Sequence, residues 1–187
     1  GGMMLLDVLT RCYKRPHMLR ENIRSLLSQT DQGFTQMLLV DGVGIGVAAA
    51  NARLAQHSTA ADYVWVLDDD DVCIYPQLVE DVRRIARQHD KPPVLIVCMD
   101  HGAPLGVLPD EAHWQTEPAH GHIGMSAFVV RGDVWNHNCH AFASGNYHAD
   151  YDFIRHVWRE TVNGAEWYWH PVIASKTQNG RSIGATE

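Results

Sequence analysis

Four consecutive aspartates, Asp68–Asp71, follow directly on the apolar run Tyr63–Leu67 (YVWVL). Adjacent carboxylates repel one another and raise each other's pKa unless a cation or hydrogen-bond donor stands among them. The apolar run reads as an interior strand, and four unpaired carboxylates cannot follow it into a core. The strand must therefore surface at the aspartates, beside water, a cation or a ligand. Any fold for this chain has to bring a buried strand to an open site.

The surrounding sequence repeats one theme. Met4–Thr10 reads as a strand, and Pro16 opens a helix with Leu19, Ile23, Leu26 and Leu27 on one face, ending near Gln29. Gln36–Val40 is a second strand closed by Asp41-Gly42, and Val47–Gln56 is Ala-rich and helical by propensity. After the aspartates, Pro76 opens a helix with Leu78, Val79, Val82, Ile85 and Ala86 on one face; Pro92-Pro93 then precede a strand at Val94–Met99. This alternation predicts an α/β fold with a Rossmann-like, mostly parallel central sheet flanked by helices. In such sheets ligands bind beyond the carboxyl ends of the strands, so Thr10, Asp41 and Asp68–Asp71 should converge on one crevice.

Beyond residue 100 the pattern changes. His101–His122 is rich in Gly, Pro and His without a period and reads as loop. A strand at Met125–Val130, a turn at Arg131-Gly132-Asp133, a helix at Asp150–Glu160 and a strand at Glu166–Ala174 complete the chain, with Pro171 placing the last strand at an edge or a bend. With Gly1-Gly2 set aside as resembling a tag remnant, residues 3–187 read as one domain: a nucleotide-binding half (3–100) and a smaller half (101–187).

The formal charge of −7, four units of it from Asp68–Asp71, argues against a nucleic-acid binder working through a basic surface. No apolar run reaches the roughly 18 residues of a membrane-spanning helix. Cys12, Cys73, Cys98 and Cys139 form no C-x-x-C pair, a pattern expected of free thiols in a reducing cytoplasm. His137, Cys139 and His140 lack a zinc-site frame and read as loop residues. Trp114, Trp135, Trp167 and Trp169 are packing residues by default.

An Asp-rich loop at a strand end suits a hard divalent cation, Mn²⁺ or Mg²⁺, that also meets substrate phosphates. The chain resembles the GT-A-fold glycosyltransferases, in particular the family-2 group of inverting, nucleotide-sugar-dependent enzymes. The resemblance rests on six segments in order: DVLTRCYKRPHMLRENIRSLLSQT, MLLVDG, GVAAANARLAQ, YVWVLDDDDVCIYPQLVED, GMSAFVVRGDVW and YHADYDFIRHVWRE. It implies a UDP- or GDP-sugar donor, an acceptor that is a glycan, a lipid-linked group or a protein, and a DxD metal motif. It places donor contacts at Thr10, Arg15, Asp41, Asn51, Asp69 and Asp70, the metal at Asp71 with His170 as a further ligand, and the general base at Asp150. The two halves become a nucleotide-sugar-binding half and an acceptor-side half; a homo-oligomer is compatible with the sequence.

The DxD pair has two registers. Counting back from Pro76 selects Asp69 and Asp71, the preferred pair, whereas the strand end selects Asp68 and Asp70. The chain departs from the family in having Asp41-Gly42 alone after the second strand, Ala50 before Asn51, and Ala149 before Asp150. Two rival readings remain. Gly44-Ile-Gly46-Val-Ala-Ala49 fits the G-x-G-x-x-A fingerprint of an NAD(P)-binding oxidoreductase; alternatively, a GT-A-like protein binds a nucleotide sugar without transferring it.

Overall fold

The computed structural model describes residues 4–178. Its strands are β1 (Leu6–Cys12), β2 (Phe34–Val40), β3 (Tyr63–Val66), β4 (Asp71–Cys73), β5 (Val94–Asp100), β6 (Val107–Leu108), β7 (Phe128–Arg131) and β8 (Tyr168–Thr177). Its α-helices are α1 (Pro16–Leu27), α2 (Val47–Ala55), α3 (Leu78–Gln88), α4 (Gly132–Asn138) and α5 (Ala149–Glu160). The strands form one sheet in the order β2-β1-β3-β7-β5-β8-β4, with β6 paired to β5. β1, β2, β3, β5 and β8 point the same way; β7, β4 and β6 run against them. The sheet is thus mixed, mostly parallel by strand direction, and it draws strands from both halves of the sequence.

β3 shows why the sheet needs helices on both faces. Tyr63, Trp65 and Leu67 pack with α1 and α3 residues such as Leu26, Leu78, Val82 and Ile85. Val64 and Val66 pack on the opposite face with Leu54 of α2, Trp135 of α4 and Phe153 of α5. A strand buried on both sides reads as a continuous apolar run, as YVWVL does.

Four expectations are corrected, and one pair of alternatives is resolved. Met125–Ala127 is a 3-10 turn, so β7 begins only at Phe128. Gly132 starts helix α4 rather than completing a turn; its N–H donates to Asp62 O at 2.7 Å, and a side chain there would collide with Ala61 O. His137 and Cys139, read as loop, are helical, and the Cys139 thiol donates to Ala55 O. Pro76 lies in the turn before α3, which begins at Leu78. β8 lies inside the sheet, and Pro171 sits within a register irregularity against β5, so the proline marks a bend rather than an edge.

Backbone bonds carry the strands past their ends and assemble the crevice. Asp41 N donates to Cys12 O (2.8 Å), Leu67 N to Leu9 O (3.0 Å) and Asp69 N to Arg11 O (3.2 Å). Helix α5 is anchored by Phe153, whose ring stacks on Phe142 at 4.3 Å and meets Trp135 at 5.3 Å. Phe153→Ala opens a cavity beneath α5 and should cost about 3–5 kcal/mol in denaturant unfolding; a cost below about 1 kcal/mol would show that α5 is held by something else.

Candidate functional site

Two arginines from the segment around the end of β1 meet three of the four aspartates. Arg11 forms a two-point ion pair with Asp68, Nε to Oδ1 at 2.8 Å and Nη2 to Oδ2 at 2.7 Å, and its Nη1 donates to Asn51 Oδ1 at 2.6 Å. Arg15 reaches Asp69 Oδ1 at 2.6 Å and Asp70 Oδ2 at 3.1 Å. The second Asp69 oxygen accepts the Tyr13 N–H at 3.0 Å. Asp69 is 1% exposed and turned away from solvent.

The backbone of the acidic turn is held from below. The amide of Asn22, buried in α1, donates to the carbonyls of Asp68 (2.9 Å) and Asp71 (3.0 Å). Gln36 donates to Asn22 Oδ1 at 2.7 Å and to Thr10 Oγ1 at 2.9 Å. Gln178 adds a bond to Asp69 O at 3.1 Å. Buried polar groups satisfied in this way fix one conformation of the turn.

A cleft of about 640 Å³ opens over this turn. Arg11, Arg15, Asp41, Asn51, Asp68, Asp70 and Asp71 line it together with His101, Tyr147, His148 and Asp150. Carboxylate oxygens of Asp68, Asp70 and Asp71 lie within 4.8 Å of one another. All-oxygen donors of this kind suit Mg²⁺ or Mn²⁺. Four aspartates against two arginines leave two uncompensated negative charges, the charge of one divalent cation. The residues present fit such an ion, held at Asp70 and Asp71 with Asp68 beside them.

Electrostatics mark the same residues. Burial, then Asp68 and Asp69, outweigh Arg15 and push the Asp70 carboxyl up to about 6. Burial and Asp70 raise Asp71 as well. In the same cleft, burial raises Asp150 against the opposing pull of the Tyr151 amide (2.8 Å) and Arg11. Cys12 also lines the cleft, but burial with Asp69 and Asp68 lifts its thiol to about 12, so it stays protonated and non-nucleophilic.

The expected residues are distributed unevenly. Arg15, Asp41, Asn51, Asp70, Asp71 and Asp150 do face one cleft. Thr10 does not: it is a fully buried position of β1 whose hydroxyl is taken up by Gln36. Asp69 does not either, because Arg15 and Tyr13 hold it inward, which favours the Asp68/Asp70 register over the preferred Asp69/Asp71 pair. His170 is not brought to the aspartates; its Nε2 lies 2.7 Å from Asp81 Oδ2, which also accepts from Tyr75. Arg11, His101, Tyr147 and His148 are cleft residues that sequence reasoning missed, while Asp68 belongs to the alternative register of the acidic pair. For Arg11 a signal existed, since two arginines within one strand-end segment match a carboxylate run elsewhere. His101 carried none; its Nε2 is buried without a partner and its ring abuts Gly124, where a side chain would collide with it.

The G-x-G segment is occupied by the protein itself. Asp41 accepts N–H bonds from Val43, Gly44 and Ile45 at 2.7–2.9 Å. Those three loop donors are therefore already taken by Asp41.

The mixed sheet flanked by helices is a fold that this chain shares with a solved glycosyltransferase. The chain is similar to S. aureus TarS, a glycosyltransferase. Against TarS residues 1–349 it gives a TM-score of 0.64 at 15% identity over 94% of this chain; with UDP bound to TarS the TM-score is 0.67 at 14% identity over 94%, and with UDP-GlcNAc bound it is 0.59 at 14% over 96%. The chain spans 60% of each of those structures. No family model and no curated protein sequence matches it. No helix among the described residues is long and apolar enough to cross a membrane.

The raised carboxyls make stability depend on pH. An ordinary aspartate loses its proton near 3.8, whereas folded Asp70 keeps it to about 6. Between those values the folded state binds more protons, so Asp70 makes stability fall as pH rises from about 4 to about 6. Asp70→Asn should remove a pH-dependent difference on the order of 2–3 kcal/mol. Urea unfolding of both proteins without divalent cations reads this; parallel pH profiles would refute it.

Proposed function

We propose that the chain is an inverting hexosyltransferase that moves a sugar from a nucleoside-diphosphate sugar to an acceptor hydroxyl. The supporting observation is that Asp68, Asp70, Asp71 and Asp150 line one cleft, in a fold shared with TarS. The UDP and UDP-GlcNAc complexes of TarS make a UDP-sugar the first donor to test. The acceptor is a glycan, a lipid-linked group or a protein.

In this reading the donor diphosphate lies over the acidic turn, with the base and ribose toward Asp41 and Asn51. A Mn²⁺ or Mg²⁺ ion at Asp70 and Asp71, when bound, supplies a Lewis acid to the diphosphate leaving group. Arg11 and Arg15 keep the turn compact by neutralising Asp68 and Asp69. Asp150 takes the proton of the acceptor hydroxyl as that oxygen attacks the anomeric carbon from the face opposite the leaving group. Its raised pKa strengthens it as a base, provided the pH lies above that value. Tyr147, exposed at the rim, and His148 beside Asp150 flank the approach of the acceptor. The domain acts in the cytoplasm, where its four buried cysteines stay free.

Asp150→Asn tests the base directly. Turnover with UDP-sugar, Mn²⁺ and an acceptor panel should fall by about 10²–10⁴-fold, while donor affinity by calorimetry changes less than about threefold. Unchanged turnover would exclude Asp150 as the base. A wild-type protein that binds UDP-sugar but turns over no acceptor would favour the non-catalytic reading. UDP-sugar binding indifferent to Mn²⁺ and Mg²⁺ would remove the metal from the mechanism.

A further inference from the structure

A second group of metal-ligating side chains lies outside the cleft, in the segment that the sequence pattern left as aperiodic loop. Asp110, His113 and His122 bring their ligand atoms within 4.8 Å of one another. None of the three lines the cleft. We propose that Asp110, His113 and His122 form a binding site for a borderline divalent transition metal of the zinc class.

The local fold prearranges the three side chains. Asp110 caps the 3-10 turn Glu111–His113, accepting the His113 N–H at 3.1 Å, and the same oxygen lies 2.5 Å from His113 Nδ1. His122 is returned by a turn in which its N–H donates to Ala119 O at 3.0 Å. Gly121 precedes it at φ +78°, a left-handed conformation that a side chain would strain. The two imidazoles stack at 3.8 Å between centroids with planes 14° apart.

Donor chemistry selects the ion. Two imidazoles and one carboxylate suit Zn²⁺ and its neighbours, whereas Mg²⁺ prefers oxygen alone. Two ligands on a tetrahedral zinc stand about 3.3 Å apart, given metal–nitrogen distances near 2.0–2.1 Å. The ligand atoms lie within 4.8 Å of one another, and the stacked rings turn so that their in-plane lone pairs meet on one ion. Metal binding replaces the His113 Nδ1–Asp110 Oδ1 hydrogen bond with two metal–ligand bonds and opens that contact from 2.5 Å to the same chord of about 3.3 Å. Three protein ligands leave a fourth position for water.

The site has a structural consequence. It ties position 110 to position 122 within an excursion whose two ends, His101 and Gly124, line the cleft. Trp114, next to His113, packs edge-on to Trp169 at 5.1 Å. An ion here would hold this excursion against the sheet.

The test uses the full chain stripped with chelator and titrated with Zn²⁺ or Co²⁺ under excess Mg²⁺, which occupies oxygen-only sites. One equivalent of Zn²⁺ should bind, and Co²⁺ should give the intense visible absorption of a low-coordinate site. His122→Gln and Asp110→Asn should each weaken binding by about tenfold or more, since even outer-shell changes cost about 10–100-fold. Asp70→Asn/Asp71→Asn should bind the same equivalent as wild type. In the unmutated protein the His113 and His122 imidazole NMR signals should shift on Zn²⁺ addition, a readout independent of variant folding. Zn²⁺ that leaves those signals unmoved, or binding lost only in the Asp70/Asp71 variant, would overturn the proposal.

Discussion

The pairing of Arg11 and Arg15 with Asp68, Asp69 and Asp70 is the interaction on which the rest of the cleft depends. Without it, a run of four carboxylates at the end of a doubly buried strand would unfold its own surroundings or bind protons and lose its charge. The arginines come from the segment around the end of β1, so the parallel pairing of β1 with β3 delivers them to the aspartates. The pairing is incomplete: four carboxylates meet two guanidinium groups, and Asp71 has no arginine partner of its own.

Rigidity reaches this turn from three directions. Asn22 clamps its carbonyls from α1, Gln36 orients Asn22 from β2, and Gln178 reaches in from the end of β8. Asp150 is carried by a helix whose inner face is locked into an aromatic cluster. Both carboxylate-bearing elements therefore rest on packed, hydrogen-bonded supports, which holds their side chains to a narrow range of geometry.

Much of the first hundred residues was legible because the elements there are local and strongly patterned. The strand at Tyr63, the helix opened by Pro16 and the Ala-rich helix at Val47 begin where apolar period and proline placement put them. The second half was read less well. Gly132 looked like a turn residue, yet it starts α4 because Ala61 O leaves no room for a side chain. β4 is three residues long and exists only because β8 pairs with it, a partner more than a hundred positions away.

The candidate site divides along the same line. Sequence alone determined that Asp68–Asp71 end a buried strand, that Asp41 closes the next one, and that Asp150 opens a helix, since each follows from local period and residue type. Only the tertiary structure decided which carboxylates face the cleft. Adjacent residues in a turn point in different directions, and Arg15 with the Tyr13 amide captures Asp69, leaving Asp68, Asp70 and Asp71 outward. Likewise Thr10 and His170 have the right residue types but are drawn into pairs with Gln36 and Asp81. Such partners are remote in the chain, and no local periodicity encodes a contact that depends on how strands from both halves pack into one sheet.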